Sequence, residues 1–127
     1  NTITGPTTIG GQGGDITFTP FEVKHGSIDA LGFRINDLAY LPDVSDIPAD
    51  VWPVLDNLDT WVVDALRRAP HPTHAHLART LEWIAKAKPR HAVLTNMHID
   101  LDHDTIAVET PDHVTPAYDG MTMTFDV

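Results

Sequence analysis

Apolar and polar residues alternate at Ile16, Phe18, Phe21 and Val23, around an interruption at Pro20. This period of two predicts an edge strand, or two short ones, stopping just before His25. Two further short strands, 31–35 and 38–41, flank Asn36-Asp37, residue types that tolerate the left-handed backbone a tight hairpin requires. Asp46 as a cap, Pro48 in a first turn and Val51, Leu55 and Leu58 at helical spacing predict a short helix over about 47–57. Trp61-Val62-Val63 reads as a strand. Leu77, Leu81 and Ile84 form one apolar stripe, so a longer helix is expected over about 74–87, capped by Thr73 and closed by Lys86, Lys88 and Pro89. "HAVLTN" follows as a buried strand, "DLDHDTIAVETP" as a short capped helix, and "VTPAYDGMTMTF" as two strands turning at Asp119-Gly120. The pattern predicts an α+β arrangement, a mainly antiparallel sheet with helices on one face.

At 127 residues the chain is of single-domain size. Residues 1–15, with the run Gly10-Gly11-Gln12-Gly13-Gly14, read as a flexible lead-in or hairpin tip, and 16–127 as the folded unit. Opening on Asn1 without a preceding methionine suggests processing or a missing front half. Cysteine is absent, so a transition-metal site would have to use His, Asp and Glu, and a cytoplasmic location fits. The net charge of −10, from 15 aspartates against only 3 glutamates, argues against a broad nucleic-acid surface. No run is long and apolar enough to suggest a membrane partner.

Candidate chemistry gathers at strand ends. His25, Asp43 and the Asn96/His98 pair each fall where a predicted strand runs out, and His and Asp suit zinc, manganese or iron. Each also admits a plainer reading: a loop histidine, a turn former, a surface residue. "HPTHAH" adds His71, His74 and His76 just before the long helix, where free backbone N–H groups would favour an anion. Asp64, closing "WVVD", is either a structural acceptor or the orienter of a histidine.

Taken in order, "FEVKHG", "LGFRI", "LAYLPDVSDIP", "WVVDALRR", "HPTHAHL", "AVLTNMH" and "YDGM" resemble the C-terminal half of metallo-β-lactamase-fold hydrolases, nearest the branch of phosphoribosyl cyclic-phosphate phosphodiesterase and ribonuclease Z. The resemblance implies half of a four-layer αβ/βα sandwich and a phosphodiesterase using two divalent ions, zinc or manganese. It implies His25 as a metal ligand and Asp43 as the carboxylate bridging the ions. It implies His74 as the residue that contacts substrate phosphate and protonates the leaving group, with His76 beside it. Where the family ends a strand on a ligand histidine this sequence has Asn96, and His98, two residues on, reaches the same side if the strand continues. Asn96 and Asp64 would then support the ligands. The family's paired-histidine signature belongs to the N-terminal half and is absent here. The implied partners are a small phosphate-ester substrate and that missing half; a folded half could also pair with a second copy of itself.

Overall fold

The computed structural model describes residues 2–126; Asn1, and any inference from it, lies outside the described residues, as does Val127. Seven strands form one sheet in chain order: β1 (Thr7–Gly11), β2 (Gly14–His25), β3 (Ile28–Ile35), β4 (Leu38–Leu41), β5 (Thr60–Asp64), β6 (His91–Thr95) and β7 (Val114–Pro116). Helix α1 (Leu77–Ala87) joins β5 to β6, and α2 (His103–Glu109) joins β6 to β7.

The class is α+β, but the sheet is mixed rather than mainly antiparallel. The pairs β1–β2, β2–β3 and β3–β4 are antiparallel, whereas β4–β5, β5–β6 and β6–β7 are parallel. The cause is connection length. Tight turns, one through Asn36 at φ 47°, reverse the chain in the first half, while crossovers carrying helical segments restore its direction in the second.

Register separates the two faces. Ala39, Trp61, Ala92 and Val114 lie side by side across β4 to β7, and Leu41, Val63 and Leu94 form the next row. These side chains join Leu55, Leu77, Trp83, Ile84 and Ile106 in one core, so every helical segment covers the same face. Gly32 belongs to this layer because a Cβ there would strike the Phe21 ring. The opposite face carries Phe33, Tyr40 and Val62; with Phe18, Ile35, Leu38, Met123 and Phe125 they line an apolar groove of about 370 Å³.

Other expectations shift for identifiable reasons. The helix over 47–57 shrinks to a 3-10 turn, Trp52–Leu55, with a proline at its start and an extended Asp56 at its end. The long helix begins at Leu77 rather than 74, and Thr73 does not cap it; His76 is the N-cap and gives no side-chain hydrogen bond. Its C-terminus is as expected, Lys88 taking φ 54° and returning its N–H to Ile84 O at 2.8 Å. Thr7–Gly11, expected as lead-in, pairs with β2, and β2 is one strand through Pro20, where its pairing passes from β1 to β3. After β7 there is no second strand among the described residues; Gly120 turns the chain at φ 87°.

Candidate functional site

Strand direction gathers the chemistry at one edge. Both β2 and β4 run antiparallel to β3, so they point the same way, and β5, β6 and β7 run parallel to β4. The C-terminal ends of five strands therefore share one edge, the place where such sheets present ligands. His25 closes β2, Asp43 follows β4 by two residues, Asp64 closes β5 and Asn96 follows β6.

Two loops complete the assembly. The segment after Asp43 is tied to the end of β2: Gly26 N–H donates to Ser45 Oγ at 2.9 Å, Ser45 N–H to Lys24 O at 2.7 Å, and Lys24 N–H to Asp46 O at 3.0 Å. The 65–76 connection is held by Leu66 N–H to Ala75 O at 2.9 Å and by Arg67, whose guanidinium donates to Ala69 O and Pro70 O at 3.1 and 2.7 Å. Its tip meets the turn between β2 and β3 at Gly26, where φ is 67° and a Cβ would stand 2.5 Å from Thr73 Cγ2. Only glycine satisfies both demands.

His25, Asp43 and His74 converge, with one potential ligand atom from each lying within 4.8 Å of the others. The ring centroids of His25 and His74 are 4.6 Å apart. His25 Nδ1–H donates to Thr73 O at 2.6 Å and His74 Nδ1–H to Asp64 Oδ2 at 2.8 Å. These bonds select the tautomers that leave each Nε2 lone pair free, the usual support of metal-binding histidines. Asp43 keeps a half-exposed carboxylate, its Oδ1 3.9 Å from His74 Nδ1.

The donor set therefore fits a divalent cation. Two imidazoles and a carboxylate whose ligand atoms lie within 4.8 Å of one another suit the borderline ligand chemistry of zinc.

Asp64 underpins the cluster. It is fully buried, and its Oδ2 also accepts Val44 N–H at 3.2 Å while Oδ1 accepts Asn96 Nδ2–H at 3.4 Å. Burial pushes its carboxyl above the ordinary range, and the His74, Val44 and Asn96 donors only partly oppose this. His71 accepts Thr73 N–H at 3.2 Å. Burial, then the charge of Arg67, lowers its basicity, which suits a turn-holding role.

Of the Asn96/His98 pair, the structure places Asn96 beside the cluster and His98 away from it. Asn96 takes φ 59°, which ends the strand, and the alternation that would aim residue 98 at the site ends with it. Asn96 Nδ2 lies 3.4 Å from His74 Nδ1. His98 instead faces Asp100 at 3.2 Å, half-exposed and outside the cluster. His76 also stands outside it, and His74 precedes α1 by three residues, so it does not sit in the helix's first turn. The supports from Ser45, Gly26 and the Thr73 carbonyl were not legible in the sequence, since backbone acceptors carry no residue-type signal.

Comparison with known proteins places the chain among known folds and families. An octanoyltransferase of Porphyromonas gingivalis is 28% identical over 118 residues, spanning 91% of this chain but 24% of that protein. The crystal structure of a diphosphatase from the PhnP family superposes at a TM-score of 0.92 with 32% identity, over 99% of this chain and 48% of that one. Zinc-bound PqqB from Methylobacterium extorquens (TM-score 0.70, 16% identity, 98% of this chain and 55% of that one) shares the fold. So does the short form of human tRNase Z, at a TM-score of 0.67 and 16% identity, over 88% of this chain and 44% of that one. The chain thus spans about half the length of these solved structures. Residues 2–99 match the beta-lactamase superfamily domain, and the chain belongs to that family, with the metallo-β-lactamase fold.

Proposed function

We propose that this chain is the C-terminal half of a metal-dependent hydrolase, a phosphodiesterase acting on a small cyclic or nucleotide-like phosphate ester. The observation that carries the reading is the convergence of His25, Asp43 and His74, with His74 backed by buried Asp64. His25 and Asp43 would hold a divalent metal, zinc or manganese, which when bound would supply charge neutralisation at the phosphoryl oxygens and acidified water. The remaining ligands would come from sequence beyond this chain, a reading supported by the coverage of its relatives and by the open apolar sheet face. On this reading the chain alone is inactive and works in the cytoplasm as part of a longer polypeptide.

The residues on hand divide the work. His25 is fixed by the Thr73 carbonyl and presents Nε2. His74, held by Asp64 through Nδ1–H, would take up a proton on its free Nε2 and deliver it to the leaving oxygen as water adds to phosphorus and the P–O bond breaks, the proton shed by that water passing to solvent. The carboxylate of Asp64 steadies the imidazolium before that transfer.

The test uses full-length protein loaded with zinc or manganese, assayed on bis(p-nitrophenyl) phosphate. His25→Ala should lose metal and activity together; His74→Ala should retain metal and lose turnover by about 10²- to 10⁴-fold. Loss of metal from His74→Ala would instead make it a third ligand. A second reading, a folded half without catalysis, is favoured by Asn96 standing where the family carries a histidine. It predicts no turnover from the metal-loaded full-length protein.

A further inference from the structure

A pocket of about 300 Å³ opens beside the cluster, lined by Thr95, Asn96, Met97, Ala117, Tyr118 and Asp119. The ends of β6 and β7 build it on the same sheet edge as His25, Asp43 and His74. Asn96 is shared, since its side chain touches Asp64 and His74 on one side and lines the pocket on the other. The far wall is a fixed turn. Ala117 N–H donates to Leu94 O at 2.8 Å, Met121 N–H returns to Tyr118 O at 3.0 Å, and Gly120 takes φ 87°.

That turn holds up two exposed groups. Tyr118 is 59% exposed, and its ring stands nearly perpendicular to that of His103, 5.7 Å from centroid to centroid. Asp119 is exposed, and no ion pair among the described residues engages it. A carboxylate in a chain of net charge −10 repels phosphate, so this pocket suits an uncharged part of a ligand. An aromatic face takes a planar base by stacking. A carboxylate accepts hydrogen bonds from neighbouring sugar hydroxyls, as acidic residues do in nucleotide-binding folds. The volume falls at the small end of the range for ligand sites.

We infer that this pocket is a ribonucleoside subsite, with the base on Tyr118, the sugar hydroxyls on Asp119, and Asn96 marking the passage to the phosphoryl group. Its orientation toward the cluster rests on the phosphate-ester reading, whereas its affinity for a nucleoside does not.

The experiment is a ¹⁵N–¹H NMR titration of the full-length protein with adenosine, which carries no phosphate. Amide shifts should centre on residues 95–97 and 117–119. Tyr118→Ala should weaken adenosine binding by about tenfold or more, the scale of one lost stack, and Tyr118→Phe should retain it. Asp119→Asn should weaken adenosine but not adenine. Unchanged affinity in Tyr118→Ala, or shifts confined to other residues, would overturn the subsite. The metal-loaded protein is then titrated with adenosine 5′-monophosphate, which should bind more tightly than adenosine. If it does not, while adenosine still binds at Tyr118, the phosphate-ester reading fails and the subsite stands.

Discussion

Replacing Asp64 with asparagine separates two roles that its carboxylate combines. In the native chain the group is fully buried and accepts from Val44 N, His74 Nδ1 and Asn96 Nδ2. An asparagine has the same shape. Its oxygen can take the Oδ2 position, which faces two donors, and its NH₂ can face Asn96 once that amide turns over. The three bonds to residue 64 survive, and the losses are the charge assistance to His74 and the long 3.4 Å bond that Asn96 Nδ2 gives Pro42 O. Set against that loss is relief from burying a carboxylate, the leading cause of its raised pKa. The sign follows: the folded chain holds this proton more tightly than the unfolded one, so the contribution is fully favourable below the ordinary aspartate pKa and is lost as pH rises through the elevated folded value. At pH 8 Asp64→Asn should therefore lie within about 1 kcal/mol of wild type. Its stability relative to wild type should improve across the window above the ordinary pKa by at most about 1.4 kcal/mol per pH unit. Asp64→Ala leaves the buried Val44 N–H unsatisfied and should cost about 1–3 kcal/mol at every pH, a fall in Tm of several degrees. Thermal melts of the metal-free chain from pH 4 to 8 make the comparison. If the asparagine variant is as unstable as the alanine variant at pH 8, the ionised carboxylate is itself a net stabiliser and the argument from burial is wrong.

Gly26→Ala should destabilise the chain by about 1–3 kcal/mol, since it combines left-handed strain with overlap on Thr73; Thr73→Ser, which removes the offending Cγ2, should recover part of that loss in urea melts. Asn96→His should add a donor beside His74 and raise zinc affinity measured against a chromophoric chelator; unchanged affinity would show that residue 96 cannot reach the ion. Asp102, whose pKa is lowered by the backbone and hydroxyl donors of Thr105, supports α2 above the ordinary aspartate pKa, and that support is lost as pH falls through its depressed value. Amide-exchange protection of 103–109 should accordingly drop in Asp102→Ala at pH 6, and the difference from wild type should vanish in strong acid.

How much of this was legible in the sequence depended on whether one residue type could carry the signal. The hairpin at Asn36-Asp37, the strand around Trp61-Val62-Val63, the capped helix after Asp102 and the end of the long helix at Lys86, Lys88 and Pro89 were all readable, because local preference and tertiary structure agree there. The helix over 47–57 failed because Pro53 removes a donor that apolar spacing cannot replace. Strand direction was invisible: nothing in Leu38–Leu41 reveals whether its neighbour runs parallel or antiparallel, since that is decided by a connection nearly twenty residues long. The site was read as strand-end residues, and His25 and Asp43 do meet there. His98 misled because alternation was carried one step past the end of β6, and His74 was set on a helix that starts later, because Thr73 spends its backbone oxygen on His25 rather than serving as a cap.

The open apolar face of the sheet sets how the chain behaves as a colloid. Phe18, Phe33, Tyr40 and Val62 present a surface that water tolerates poorly, and what holds two such molecules apart is the repulsion of their −10 charges. That barrier reaches about 10 Å at 0.1 M salt and only about 3 Å at 1 M. The purified chain should therefore stay dispersed in dilute buffer and associate as salt is added, the reverse of salting-in, with Phe33→Lys and Tyr40→Lys abolishing the effect.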